Sequence, residues 1–185
     1  MGPARYAAPM VDLKRSLNGA LAGAVAAATW AAQQPADKRA FASGYDDVEL
    51  LGKAVTRGEG WPAAGLGLHL ANGAAFGATY SALRPFLPGP LLGRAVTMAL
   101  IEHVALWPLG RLVDDHHPAR KELTPLSNNA RAFAQATWRH LVFGLVLGEL
   151  ERRLNPEGED EPPEIPVSSN GHGNIELAVG ATEAS

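Results

Sequence analysis

The sequence has no cysteine, which excludes disulfides and thiolate metal sites and leaves the redox compartment undetermined. It also lacks the short signatures of common enzyme chemistry. There is no Gly-x-Ser-x-Gly, no phosphate-cradling glycine loop before a helix, no His-Glu-x-x-His and no Asp-rich calcium loop. Nothing specific supports an enzyme, and no cofactor is called for. Basic residues are dispersed rather than gathered into a patch, so a nucleic-acid partner is not expected. Residues 157–185 contain no Lys or Arg, but hold seven acidic groups. Residues 1–156 therefore carry all 16 basic groups against 12 acidic ones, a balance of +4 beneath a whole-chain net charge of −3. A mean hydropathy of −0.05 looks water-soluble, yet it averages apolar runs with polar loops and a polar tail.

Those runs are the main content of the chain. Residues 16–36 carry no charge, and 17–32 are mostly Ala, Gly, Leu and Val with Trp30 near the far end. This is marginal for a membrane span, which needs about 20 residues. A polar segment, 37–60, leads to residues 61–83, which are again free of Lys, Arg, Asp and Glu. The Pro- and Gly-containing connection 85–90 is short enough to force the next helix antiparallel to the last. The third run, 91–112, is interrupted near its middle by Glu102 and His103 and broken by Pro108. The loop 113–129 contains Asp114, Asp115, His116, His117, Pro118 and Pro125, all turn chemistry. The two histidines resemble metal ligands by type, but four adjacent loop residues cannot converge on one ion. Residues 130–154 form the fourth run. Beyond it, 155–185 are too polar and Pro-rich to bury a core and predict a disordered acidic tail.

Two of the runs share one pattern 71 residues apart: His69, Leu70, Gly73, Gly77, Leu83, Pro85, then His140, Leu141, Gly144, Gly148, Leu154, Pro156. His, Gly and Gly at i, i+4 and i+8 lie on one helix face. Small-xxx-small spacing lets backbones approach closely, the association mode favoured where water supplies no hydrophobic drive. Gly19 and Gly23 place a third copy in the first run. The expected architecture is all-α: a 1–15 arm, then a polytopic membrane domain of four transmembrane helices, 16–154, built as tandem hairpins over about 16–86 and 91–154.

Trp30, Trp61, Trp107 and Trp138 all fall at expected helix ends on the side of the 37–60 and 113–129 loops, where an interfacial belt would want them. Against a bilayer stand Arg94, Arg131 and Arg139, and a soluble helical bundle is the alternative. A cleaved secretory signal over 1–32 is the rival for the first run, and three later apolar runs weigh against it. Arg5, Lys14, Arg15, Arg84, Arg94, Arg152 and Arg153 mark the other side densely, which favours both termini in the cytoplasm. Partners are then the lipid bilayer and, through the glycine faces, a second copy or another membrane protein.

Trp30 with Pro35 five later, His103 with Pro108 five later, the His140-Leu141-Val142-Phe143 start, Glu149 with Arg152-Arg153, and Pro163-Glu164-Ile165-Pro166 are ordered landmarks. Together they resemble the YagU-like small bacterial inner-membrane proteins from about residue 20 to 166. The resemblance implies a four-span inner-membrane protein with cytoplasmic termini and carries no catalytic signature. A longer polar first loop and the extended acidic tail depart from that pattern.

His69, Asn72, Glu102, His103 and His140 form the expected buried polar cluster. An ionised side chain at bilayer centre costs about 2.5–3.5 kcal/mol on insertion scales, so such groups pair or line a wet cavity. Three roles fit these residue types: hydrogen bonding that holds helices together, proton or ion transport between parallel repeats, and histidine ligation of a metal or haem.

Overall fold

A computed structural model describes residues 12–156, and every element among them is helical. Helix α1 spans Leu13–Ala40, α2 Asp47–Val55, α3 Trp61–Leu83, α4 Leu91–Leu106, α5 Gly110–His116 and α6 Ala130–Leu154. Short 3-10 turns, Arg84–Phe86 and Trp107–Leu109, follow α3 and α4. Local chemistry sets several boundaries. The Asp12 side chain accepts from the Arg15 amide, Asp46 from Glu49 and Asn129 from Ala132, each satisfying an otherwise orphaned N–H at a helix start. Pro62 sits in the first turn of α3, where its missing N–H is harmless.

Helix α1 is the central strut. It packs on α3 along one side and α6 along another, while α4 packs on α6 and α2 on α3. Gly19 lies against Gly77, Gly23 against Gly73, and Ala27 against His69, so α1 and α3 run antiparallel. Asn18 meets Leu154 and Asp37 meets Arg139, which makes α1 and α6 antiparallel too. Leu92 meets Gly148 and His103 meets Thr137, and α4 therefore runs parallel to α1. The core between them is mostly alanine: Ala22, Ala26, Ala27, Ala95 and Ala99, with Trp30, Tyr80, Phe143 and Leu147.

The glycines explain the closeness of α1 and α3. A Cβ placed on Gly23 would stand 2.0 Å from the Gly73 carbonyl oxygen, and one on Gly77 would stand 2.1 Å from that of Gly19. Only hydrogen fits there. The second hairpin is looser: a Cβ on Gly144 would be 2.7 Å from Val96 Cα and one on Gly148 3.0 Å from Ala95 Cβ. All six predicted packing glycines are covered by the chain's own helices. A pair absent from the expectation, Gly52 and Gly65, joins α2 to α3 at the same closeness.

Several boundaries differ from the sequence reading. Helix α1 starts inside the expected 1–15 arm and runs through Pro35 to Ala40, because Asp37 is drawn into the interior by α6. The first polar segment folds its own helix, α2. Pro108 does break the third run, but α4 ends at Leu106, so Glu102 and His103 stand in its last turn and a half rather than mid-helix. Trp30 is interior, 6 % exposed, rather than a member of an interfacial belt. Asn155 belongs to the folded body: its side chain donates to Glu151 Oε2 (2.8 Å) and accepts from Asn18 (2.9 Å). The remainder of the expected acidic tail, and residues 1–11 of the arm, lie outside the described residues. Among the described residues, one helical run, Leu91–His116, is long and apolar enough to cross a membrane by length and composition.

Candidate functional site

Helices α3 and α4 are joined by the shortest connection between long helices, and they touch beside it, where the Tyr80 hydroxyl donates to the Leu91 carbonyl (3.1 Å). Beyond that point they share no extensive interface. A half-open cavity of about 520 Å³ occupies the space, with α1 and α6 behind it and α2 and α5 at one end. All five residues of the expected polar cluster line it: His69, Asn72, Glu102, His103 and His140. Asn72 is exposed, and Glu102 is 40 % exposed at the side chain, so the cluster borders an opening rather than a sealed interior.

The histidines form a chain of ring contacts. His103 stacks on His140 with ring centroids 4.6 Å apart. Trp30 then stands edge-on to His140 at 4.6 Å and to His69 at 5.3 Å. His69 therefore reaches the others through Trp30. Packing of α1 between α3 and α6 puts the tryptophan there.

Hydrogen bonds fix the protons on these rings. The Ala27 carbonyl accepts from His69 Nε2 at 3.1 Å, which leaves the lone pair on Nδ1. The Thr137 hydroxyl donates to the Phe133 carbonyl (2.8 Å) and so accepts from His103 Nε2 (3.0 Å), again leaving Nδ1 with the lone pair. His140 differs. Its Nδ1 donates to the Ala136 carbonyl at 2.8 Å, and its Nε2 lies 3.1 Å from Glu102 Oε2. With Nδ1 already protonated, a proton must lie between Nε2 and the carboxyl group, or two lone pairs would face each other. Glu102 and His140 thus hold one proton jointly.

The α2 end of the cavity is closed by an ionic network that the sequence reading did not include. Arg139 Nε and Nη2 donate to the two oxygens of Asp37 at 2.6 and 2.7 Å, and Nη1 donates to Asp47 at 2.7 Å. Gln135 also donates to Asp37 (2.7 Å), and Trp30 Nε1 to Asp47 (2.9 Å). The Tyr45 hydroxyl donates to the second oxygen of Asp47. Arg139, Gln135 and Asp37 are almost wholly buried, a setting in which a charge needs a partner. Burial, then the charge of Asp47 and the hydrogen bond to it, push the Tyr45 phenol well above its ordinary value. Burial works upward on Asp46 as well, but the Lys38 ammonium and the Glu49 amide outweigh it and hold that carboxyl low. The one signal in the sequence was Arg139 itself, a lone cation directly before His140.

Elsewhere, His117 is a structural staple. Its Nε2 donates to the Leu50 carbonyl (3.0 Å) while Nδ1 accepts from the Ala119 amide (3.1 Å), tying the second loop to α2. At the opposite end of the bundle Arg84 and Glu151, both buried, are joined through Ser81 and Asn155. Among the described residues, no three His, Asp or Glu side chains converge as metal ligands. No protein-family model, curated protein or solved structure matches this chain, and the site is read from its own chemistry.

Proposed function

We propose that this chain is a non-enzymatic, four-span protein of the bacterial inner membrane with cytoplasmic termini, whose cavity takes a small molecule and couples its binding to the Glu102–His140 proton. The spans lie within residues 16–36, 61–83, 91–112 and 130–154. The YagU-like resemblance is part of the same proposal. The observation that carries it is the cavity: both hairpins contribute a histidine, and Glu102, the carboxylate at the opening, shares its proton with one of them.

Three features support a bilayer setting. Only 17 % of the most apolar window in Leu91–His116 is buried in the chain, whereas the core helix of a water-soluble protein turns such residues inward. Leu13, Leu17, Leu21 and Val25 make an exposed stripe along α1. Arg15, at the Arg84–Glu151 end, and Asp37, at the Arg139 end, stand 22 positions apart on that helix. That is about 33 Å at 1.5 Å per residue, close to the roughly 30 Å of a hydrocarbon core. In that setting the gap between α3 and α4 opens sideways, and the polar groups at its mouth, Asn72 and Glu102, keep it hydrated.

The absence of cysteine makes the test direct. The protein is expected in the membrane fraction after alkaline carbonate washing. A thiol introduced by Asn72→Cys, at the cavity opening, is expected to react with a small maleimide, and one introduced by Ala75→Cys, on the outer face of α3, to stay silent. Recovery of the protein in the soluble fraction without detergent, or equal silence at both positions, would overturn the reading.

A further inference from the structure

Resting on that reading, we infer that the cavity takes an organic ammonium ion, a compact aromatic or aliphatic amine in its protonated form, and releases one proton on binding it. The polar atoms around the cavity point to this chemistry by what they still have to offer. The donors are largely committed. Trp30 Nε1 and the Tyr45 hydroxyl both donate to Asp47, His69 Nε2 to Ala27, His103 Nε2 to Thr137, and His140 Nδ1 to Ala136. The acceptors are left over: the Nδ1 lone pairs of His69 and His103 and the second oxygen of Glu102. Asn72, at the opening, adds an amide that can donate or accept. A ligand rich in N–H groups suits such a set, and an anion does not.

The walls and the charge balance agree. Trp30, Trp107, Phe76, Phe143 and Tyr45 surround the space, and aromatic faces attract a cation, most strongly where water is excluded. Two carboxylates, Asp37 and Asp47, face the single guanidinium of Arg139 at the closed end. A third carboxyl, Glu102, stands at the opening. The volume, about 520 Å³, lies within the roughly 300–1,000 Å³ of sites that take small organic ligands.

The proton follows from charge. With the site empty, Glu102 and His140 hold one proton between them, and an ammonium entering beside Glu102 brings a second positive charge. If the ammonium donates to both Glu102 Oε2 and His140 Nε2, taking the place of the shared proton, that proton leaves, Glu102 is ionised, and His140 is neutral with its remaining hydrogen on Nδ1. One cation enters and one proton departs, with no other bond changed. The titratable groups that line the cavity with Glu102 and His140 are His103 on α4, His69 on α3, and Asp47 on α2 with Tyr45 before it; Arg139, next to His140 on α6, carries Asp47 and the α1 residue Asp37 on its guanidinium.

The full chain in detergent is titrated with 2-phenylethylamine, cationic at neutral pH, and with 2-phenylethanol and phenylacetate as neutral and anionic analogues. The amine is expected to bind about tenfold or more tighter than the alcohol, as a charged hydrogen bond warrants, and phenylacetate not to bind. Calorimetry in two buffers of different ionisation enthalpy is expected to show one proton released per amine. Glu102→Gln, at a half-exposed position, is expected to fold, to lose that preference and to release no proton. His103→Phe keeps a ring against His140 and removes the Nδ1 lone pair; it is expected to weaken the amine more than the alcohol. Amine binding without proton release, equal affinity of the amine and either analogue, or an unaltered Glu102→Gln variant would overturn the inference. So would failure of all three probes with a protein whose Asn72→Cys thiol reacts, in which case the cavity reading stands and this inference alone falls. A silent Asn72→Cys thiol overturns both.

Discussion

Arg139 shows how a single charged residue organises the interior around it. It stands in an otherwise uncharged stretch of α6, wholly buried, with Asp37 and Asp47 on its guanidinium. Removing one partner of such a group leaves an uncompensated charge, which costs about 3–5 kcal/mol. Asp37→Asn is therefore expected to lower the thermal midpoint in detergent steeply, and Asp37→Asn combined with Arg139→Gln to recover part of the loss. An unchanged midpoint in the single variant would show that Asp47 alone satisfies the guanidinium. The five clustered polar residues were legible because polar groups are rare in the apolar runs. Their partners were not. Asp37 reads as the first residue of a loop, and Trp30 as an interfacial aromatic, until the packing of α1 against α6 is known.

At the scale of the helix, glycine position separates contact from surface. Gly67 and Gly73 lie on the same helix, α3, but a Cβ on Gly67 would meet nothing within 4 Å, whereas one on Gly73 would stand 2.5 Å from Ala27 Cβ. Gly67→Ala is expected to stabilise the protein by about 0.5–1 kcal/mol, since alanine loses less chain entropy in a helix. Gly73→Ala is expected to destabilise it by prising α1 from α3, and by more than Gly144→Ala separates α4 from α6, where the approach is looser. Melting curves of the three variants decide this, and equal midpoints for Gly67→Ala and Gly73→Ala would contradict it. The His-Gly-Gly spacing located these faces, because i, i+4 periodicity survives in any helix. Helix α2 was missed although its start is written in the sequence: Asp46 caps the amide of Glu49, and Leu50 and Leu51 follow. Nine residues in a polar segment give too short a period to stand out. Its packing depends on Gly52 and Gly65, which are not in one element.

Across the whole molecule, the repeated pattern extends further than the sequence alone displays. The 71-residue offset relates α3 to α6, and an offset of 73 relates α1 to α4: Ala22 to Ala95, Ala26 to Ala99, Trp30 to His103 and Pro35 to Pro108. Contacts obey the same correspondence. Gly73 and Gly77 meet Gly23 and Gly19 in one hairpin, and Gly144 and Gly148 meet Val96 and Leu92 in the other. Trp30 beside His69 answers to His103 beside His140. Two offsets rather than one hid the relation, since no single shift aligns both helices.

Such correspondence is what duplication of a single two-helix unit, once paired with its own copy, would leave. The two hairpins differ at the corresponding positions Trp30 and His103, with Glu102 beside the second. The seam of such a duplication would be the connection 87–90, where Gly89 has φ +97° and a Cβ would meet nothing. Severing the gene after Gly89 and expressing the halves together is expected to restore a complex that copurifies through a tag on either half. Halves that each reach the membrane yet never associate would argue that the covalent join, rather than the old interface, now holds them together.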